Sequence, residues 1–460
     1  MKEFIKTFTA NKSIALLGFG REGKSTYRLL RDVLPQKTLT IIDENEDVRL
    51  NADLILDQNL AFITGKDCMA SIGNFNIAIK SPGIPSHSLP EISNGLQLTS
   101  QTDIFLQYYG KQVIGITGTK GKSTTSSLIY HILKKAGKHA LFVGNIGIPP
   151  FDCINEIKPD TSIVMELSSH QLEFVTHVPH ISVLLNIFQE HLDHYNSYKD
   201  YQLAKLNIGK YQNKGDYFIY NNDNEAIVNL LSEICPFETQ MLPFSIIPNS
   251  SAVLRLNDDQ ILLTLGDEIL NLYDTTAGQP LKGQHNVYNI LAAATSCYLR
   301  GATIDEIGAG IRSFKGLEHR IEFIGEYFGI VWYNDSIATI PEATIEAVKT
   351  LKDVDNLILG GYDRGIDYTI LYPFLNGSGI RNIIFVGEAG KRIKQEFALF
   401  GQKGLNFFEA ADYVQVVQIA VEQTQKGRIC LLSPAAASYD MFKNFEERGN
   451  TFKKLIRVIQ

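Results

Sequence analysis

The chain has 460 residues, 44% hydrophobic and 20% charged, enough for two to four domains that each bury a core. Lys and Arg number 43 against 50 Asp and Glu, a formal net charge of −7, which excludes a broad cationic surface for nucleic acid but not a local basic pocket for an anionic small molecule. The five cysteines form no C-x-x-C pair, no apolar run reaches the roughly 18 residues of a membrane span, and residues 1–6 lack the apolar core of a signal peptide, so a cytoplasmic protein with reduced thiols is expected.

Strand and helix signals alternate, which predicts an α/β fold of mostly parallel sheets covered by helices. The first unit, residues 1–109, opens with a strand over 13–17, the turn Gly18-Phe19-Gly20-Arg21-Glu22-Gly23-Lys24-Ser25, a helix over 24–34 and a strand ending at Asp43. That turn fits both G-x-x-x-x-G-K-S and G-x-G-x-x-G. Asp43 lies 25 positions after Gly18, where Rossmann-like units hold a ribose hydroxyl. The turn therefore reads as a diphosphate-and-ribose cradle, not as the site that hydrolyses ATP. A strand at Ile77-Ala78-Ile79 then leads into Ser81-Pro82-Gly83, a rigid loop at the carboxyl edge of the sheet.

The second unit, residues 110–316, carries the strongest signal. An apolar strand, Val113-Ile114-Gly115-Ile116-Thr117, runs into Gly118-Thr119-Lys120-Gly121-Lys122-Ser123-Thr124 and a helix over 126–136. Glycines admit backbone N–H groups close to phosphate oxygens, and a helix N-terminus adds partial positive charge. Lys122 is placed to reach the β- and γ-phosphates and Ser123 to hold Mg²⁺. Glu166 ends the next apolar strand, beside this loop, as a candidate Mg²⁺ ligand. His191 and His194 have a spacing that could hold zinc, but no nearby cysteine or further histidine completes such a site; contact with a second Mg²⁺ or with substrate fits better. Taken alone, Lys205 reads as a surface lysine. Asn286 and Asn289 sit one helical turn apart, suited to base or phosphate recognition, while helix capping explains Asn286 equally well. An antiparallel insertion is expected over 252–265. The third unit, residues 317–460, has strands near 356–359, 382–386 and 429–432, with Arg320 and Asp335 at strand edges.

Nearly the whole chain resembles the Mur ligase family, in its MurD type. The resemblance runs in order through Gly118-Thr119-Lys120-Gly121-Lys122-Ser123-Thr124, Gly144-Asn145-Ile146-Gly147, Glu166-Leu167-Ser168-Ser169, Glu190-His191-Leu192-Asp193 and Ala204-Lys205-Leu206. It continues through His285-Asn286-Val287-Tyr288-Asn289, His319-Arg320, Asn334-Asp335-Ser336, Leu432-Ser433-Pro434-Ala435-Ala436-Ala437-Ser438 and Asn444-Phe445-Glu446-Glu447-Arg448-Gly449. It implies three domains: a Rossmann-like N-terminal domain, a central P-loop ATPase-type domain and a Rossmann-like C-terminal domain. It also implies a monomeric ATP-dependent ligase joining glutamate to UDP-N-acetylmuramoyl-L-alanine through an acyl phosphate, with two Mg²⁺.

Carried over by position, Gly18, Phe19, Gly20, Arg21, Asp43, Ser81, Pro82, Gly83 and Asn145 would meet the UDP substrate. Residues 118–124 with Asn286, Asn289, Arg320 and Asp335 would meet ATP. Lys122, Lys205, His191 and Asp335 would be catalytic, and Ser123, Glu166, His191 and Lys205 would hold metal. Lys205 matches a lysine that the family carbamylates with carbon dioxide, which overrides the surface reading. Thr339, Arg364, Ser438, Tyr439 and Phe445 would meet the amino acid.

The amino-acid region departs from the family. Where MurD-type enzymes read Asn-Asp-Ser-Lys-Ala-Thr-Asn, this chain reads Asn334-Asp335-Ser336-Ile337-Ala338-Thr339-Ile340. A cation and an amide are lost, while Arg364 replaces a second family lysine with a planar fork suited to a carboxylate. D-glutamate is favoured narrowly over L-glutamate. A folylpolyglutamate synthase-like ligase and a non-ligating ATP-binding regulator are the rivals. The first lacks a nucleotide-type unit ahead of the P-loop, and the second needs no carbamate.

Overall fold

The architecture was taken from a computed structural model, which describes residues 1–458 except 52, 53, 55, 92–94, 146, 147, 191–193, 235–237, 249, 278–280 and 282. The chain divides into two compact units, Met1–Phe314 and Lys315–Gln460. The first unit carries two sheets.

Five short strands form the first sheet: β1 (Ile14–Leu17), β2 (Leu39–Asp43), β3 (Leu60–Thr64), β4 (Ile77–Lys80) and β5 (Gln97–Ser100). All are parallel, in the order β3-β2-β1-β4-β5. β1 and β4 are buried along their whole length, as expected of parallel strands covered on both faces. The chain winds away from β1 in one direction and then returns to the other side at β4. A crevice therefore opens at the carboxyl ends of β1 and β4, the place where doubly wound sheets bind ligands. The helix Arg21–Val33 starts earlier than the sequence pattern predicts, because Gly20 rather than Gly23 stands at its N-cap. Gly23 lies inside it, where a Cβ would sit 2.2 Å from the Gly18 carbonyl oxygen; only glycine lets helix and turn approach this closely.

Nine strands form the second sheet: β6 (Val113–Thr117), β7 (Ala140–Gly144), β8 (Ser162–Glu166), β9 (Ile181–Leu184), β10 (Tyr217–Asn221), β11 (Gln240–Ser245), β12 (Leu254–Asn257), β13 (Gln260–Leu265) and β14 (Glu268–Asp274). Their order is β14-β13-β12-β11-β10-β9-β6-β8-β7, parallel from β7 through β12 and antiparallel over β12-β13-β14. The insertion predicted over 252–265 is thus a three-stranded meander, one strand longer than expected. β6 lies between β8 and β9, so the loop that follows it emerges at a second switch of chain direction. The helices Lys122–Lys135, Gln284–Leu299 and Ile304–Ser313 share one apolar core with this sheet.

The second unit holds β15 (Glu322–Tyr327), β16 (Ile330–Asn334), β17 (Val354–Gly360), β18 (Asn382–Val386), β19 (Asn406–Ala410) and β20 (Ile429–Leu432), ordered β15-β16-β20-β17-β18-β19. Only β15 runs antiparallel, on the edge. The α/β class with mostly parallel sheets follows from all three.

Candidate active site

A cavity of about 680 Å³ occupies the crevice beyond β1 and β4. Gly18, Phe19, Gly20, Arg21, Asp43, Ser81, Pro82, Gly83 and Asn145 all lie on its wall, so every residue expected at the UDP substrate is gathered there. Gly18 has φ +79°, a left-handed turn that leaves Ser81 Oγ free to donate to its carbonyl at 2.9 Å. Asp43 accepts from the Phe19 N–H at 2.8 Å and the Asn45 N–H at 2.9 Å, so its carboxylate braces the glycine turn.

Sequence reasoning missed several neighbours. Gln171 Nε2 donates to Glu22 Oε1 at 2.6 Å across the cavity wall, and burial raises the pKa of Glu22. Behind them Lys80 lies 3.2 Å from Glu173 Oε2, which is also 3.4 Å from His194 Nε2. His194 is therefore packed inside, with its ring centroid 3.9 Å from that of His170. The Ser168-x-x-Gln171 capping box was the available signal.

The phosphate-type loop follows β6. Gly118 and Gly121 have φ +155° and +85°, and a Cβ on Gly121 would meet Asn289 Oδ1 at 2.5 Å. Asn186 clamps the loop from outside: its carbonyl accepts from the Thr119 N–H at 2.9 Å and its side chain from the Lys120 N–H at 2.8 Å. The helix begins at Lys122, four residues before the expected start, so Ser123 and Thr124 are in its first turn. Lys122 Nζ donates to the carbonyls of Gly118 at 2.8 Å and Thr119 at 3.0 Å.

Lys205, 2% exposed on the helix Tyr198–Lys210, donates to the same Gly118 carbonyl at 2.9 Å. Burial first, then the charge of Lys122, hold its pKa well below the ordinary lysine value, against an opposing pull from Glu190. The surface reading of Lys205 is thereby corrected. Asn289 is buried against the loop, accepts from Thr125 Oγ1 at 3.1 Å and donates to Asn286 Oδ1 at 2.9 Å. Gly283 caps that helix without a side-chain bond, so capping does not account for Asn286.

Glu166 is the third feature. It ends β8, in register with Ile116 of β6, and is 1% exposed. Asn145 Nδ2 donates to its Oε1 at 2.8 Å, while Oε2 is buried with no hydrogen-bond partner among the described residues. A buried carboxylate oxygen left without a donor fits a cation that binds few carboxylates and completes its shell with phosphate oxygens. His191 lies outside the described residues.

In the second unit, Asp335 follows β16 and is 3% exposed. Ser433 Oγ donates to it at 2.7 Å and the Ile321 N–H at 3.1 Å; even so, burial raises its pKa to about 7. Arg320 is exposed and its charge pulls the other way. A carboxyl whose folded pKa is raised favours folding in its protonated form. Its stabilising share is complete below about pH 4 and is lost as pH rises through about 7. Asp335→Asn is therefore expected to raise Tm at pH 8 by several degrees and to leave Tm near wild type at pH 4, a difference that thermal melts at the two pH values would measure.

Arg364 is exposed, 3.4 Å from the Thr339 carbonyl, and makes no ion pair among the described residues. Its neighbour Asp363 is taken by Arg392 in a two-pronged pair. Ser438 is buried, Tyr439 is 65% exposed, and Phe445 packs edge-on against His319.

Three features meet in this chain: a glycine turn leading to a lysine at a helix N-terminus, a buried acidic partner beside it, and a separate cavity at the carboxyl edge of the first sheet. Comparison with known proteins agrees. Residues 116–297 match the Mur ligase middle domain. The chain is 33% identical to a UDP-N-acetylmuramoylalanine–D-glutamate ligase of Acetivibrio thermocellus, over 98% of this chain and 97% of that one. It is also 33% identical to the enzyme of the same name from Clostridium tetani, over 98% of both. Among solved structures, MurC of Thermotoga maritima aligns with TM-score 0.56 at 16% identity over 98% of this chain and all of that one. MurF of Acinetobacter baumannii aligns with TM-score 0.57 at 17% identity over 94% and 88%. The protein is an ATP-dependent, amide-bond-forming ligase of peptidoglycan precursor synthesis. It belongs to the Mur ligase family.

Proposed function

We propose that the chain joins glutamate to UDP-N-acetylmuramoyl-L-alanine, using residues 1–109 to hold the UDP substrate, 110–316 to hold ATP and 317–460 to bring the amino acid. The observation that carries this reading is Asn145. It lines the first cavity and at the same time donates to Glu166, beside the phosphate loop. A substrate lying along the cavity with its carboxylate toward Asn145 would meet the γ-phosphate there.

The chemistry follows from the electrophile. A carboxylate resists attack by an amine, so its oxygen first attacks the γ-phosphorus and ADP leaves, giving an acyl phosphate. The amine then attacks the carbonyl carbon, loses a proton, and phosphate departs with the former carboxylate oxygen. Two anions must approach each other in the first step. Lys122 and the amides of Gly118 and Gly121 would offset that repulsion, those of Thr119 and Lys120 being bonded to Asn186. Ser123, Glu166 and His191 would hold Mg²⁺, with Lys205 as its carbamate; the metal supplies positive charge to the phosphate oxygens. Asn286, Asn289, Arg320 and Asp335 would contact the nucleotide.

Arg364, with Thr339, Ser438, Tyr439 and Phe445, would receive glutamate. D-glutamate is favoured by the names of the relatives; L-glutamate is kept open by Ile337, since loss of one charged partner is worth about 1.5–3 kcal/mol in a contact. Ligation with each enantiomer and UDP-N-acetylmuramoyl-L-alanine, read by product mass, distinguishes them. Product with D-glutamate alone is expected, and product with neither sinks the glutamate reading. We keep a cytoplasmic monomer as the working reading; no helix among the described residues is long and apolar enough to cross a membrane.

A further inference from the structure

Arg448 is 1% exposed, on the helix Phe445–Val458, and its guanidinium donates five hydrogen bonds. None goes to a carboxylate. Nε reaches Ser336 Oγ at 2.9 Å; Nη1 reaches the carbonyls of Ala436 and Ala437, both at 3.1 Å; Nη2 reaches the carbonyls of Ser336 at 2.7 Å and Ala436 at 3.0 Å. A guanidinium has five N–H groups in a rigid fork, so this one is fully used on two loops. One follows β16 and continues to Thr339. The other follows β20 and continues to Ser438. Ser336 Oγ in turn donates to the Phe445 carbonyl at 2.8 Å, and a Cβ on Gly361, just ahead of Arg364, would meet Nη1 at 3.0 Å. All five residues assigned to the amino acid thus stand on segments that converge on one buried cation.

The loop after β20 does not hold this shape by itself. Ala435 has φ +55°, a left-handed conformation that a Cβ opposes. Its neighbouring carbonyls at 436 and 437 turn inward to the guanidinium, and in a trans peptide each N–H points opposite to the carbonyl it shares a plane with. The N–H groups of Ala437 and Ser438 are therefore directed away from Arg448.

We propose that Arg448 is the positioning residue of the amino-acid site: it fixes the two loops so that Ser438 and Thr339 present their polar groups to the incoming amino acid. The proposal rests on the assignment of that amino acid to the second unit. ATP binding is not expected to share the effect. Asp335 is held by Ser433, by the Ile321 N–H and, through its own N–H, by the Leu432 carbonyl at 2.7 Å, none of which involves Arg448.

The test is steady-state kinetics of Arg448→Lys and Arg448→Ala, with Tm recorded for each. Lysine keeps the charge but cannot bridge two loops in one plane. Arg448→Lys is expected to raise KM for the amino acid at least tenfold while KM for ATP and for the UDP substrate stay within threefold. Arg448→Ala is expected to regain part of that loss with added guanidinium ion and none with methylammonium. An unchanged amino-acid KM in Arg448→Lys, an equal rise in all three KM values, or no guanidinium rescue in a folded Arg448→Ala would each overturn the proposal. If the wild type rejects both glutamate enantiomers, the glutamate reading fails on its own, and the same split is read with the amino acid that the enzyme does ligate.

Discussion

Lys122→Ala is expected to lower kcat by at least about 10³-fold, because its ammonium stands at the helix N-terminus, where it can follow charge onto the transferring phosphoryl group. Its Nζ bonds the carbonyls of Gly118 and Thr119, within the loop that would wrap the phosphates. Lys24→Ala is the informative control. Lys24 belongs to the sequence that fits the strict phosphate-loop pattern better, yet it lines a cavity of about 270 Å³ with Phe19, Asp43 and Asn45, next to the first sheet. Its loss is expected to raise KM for the UDP substrate by about tenfold, the worth of one charged contact, with kcat little changed. Kinetics of the two variants side by side would check this, and the opposite pattern would mean that the two glycine turns have exchanged roles.

The second large effect is expected at Lys205. A lysine adds to carbon dioxide only as the neutral amine, and here burial and the adjacent Lys122 both disfavour the ammonium form. The carbamate would replace a disfavoured cation by an anion beside Lys122, where negative charge is welcome. Lys205→Ala is expected to reduce kcat about 10²-fold or more, the scale of losing a group that orients a metal site. Formate or acetate should restore part of it by occupying the vacated space. Wild-type activity should also fall in buffers stripped of carbon dioxide and as pH drops through the depressed lysine pKa, since the amine then protonates. A Lys205→Ala enzyme that is folded and indifferent to short carboxylates at every concentration would refute the carbamate.

Much of this was legible in the sequence where the signal was local. The phosphate loop could be read because strand, glycines and Lys-Ser-Thr are contiguous, and β1, β2 and β4 of the first sheet because they are apolar along most of their length, whereas the part-exposed β3 and β5 were not read. β14, β15 and β19 were missed for a shared reason. They are edge strands, partly solvated, and their burial alternates weakly, so neither a continuous apolar run nor a clean period of two marks them. Lys205 was misread from its charge. The helical pattern held the correction: Tyr201, Ala204, Lys205 and Ile208 lie at i, i+3, i+4 and i+7 and are all buried. Arg448 shows the same signature, with Phe452 and Ile456 at i+4 and i+8 on the buried face of its helix. The role of Asn145 could not be read this way, because it depends on β7 and β8 lying side by side, a pairing between residues about 20 positions apart.

The central claim is that the substrate carboxylate is phosphorylated before the amide forms, and oxygen transfer tests it directly. UDP-N-acetylmuramoyl-L-alanine carrying ¹⁸O in its free carboxylate should, on complete turnover with ATP and glutamate, yield inorganic phosphate bearing one ¹⁸O atom for every amide bond made. Phosphate that emerges without label while the amide product accumulates would contradict the account.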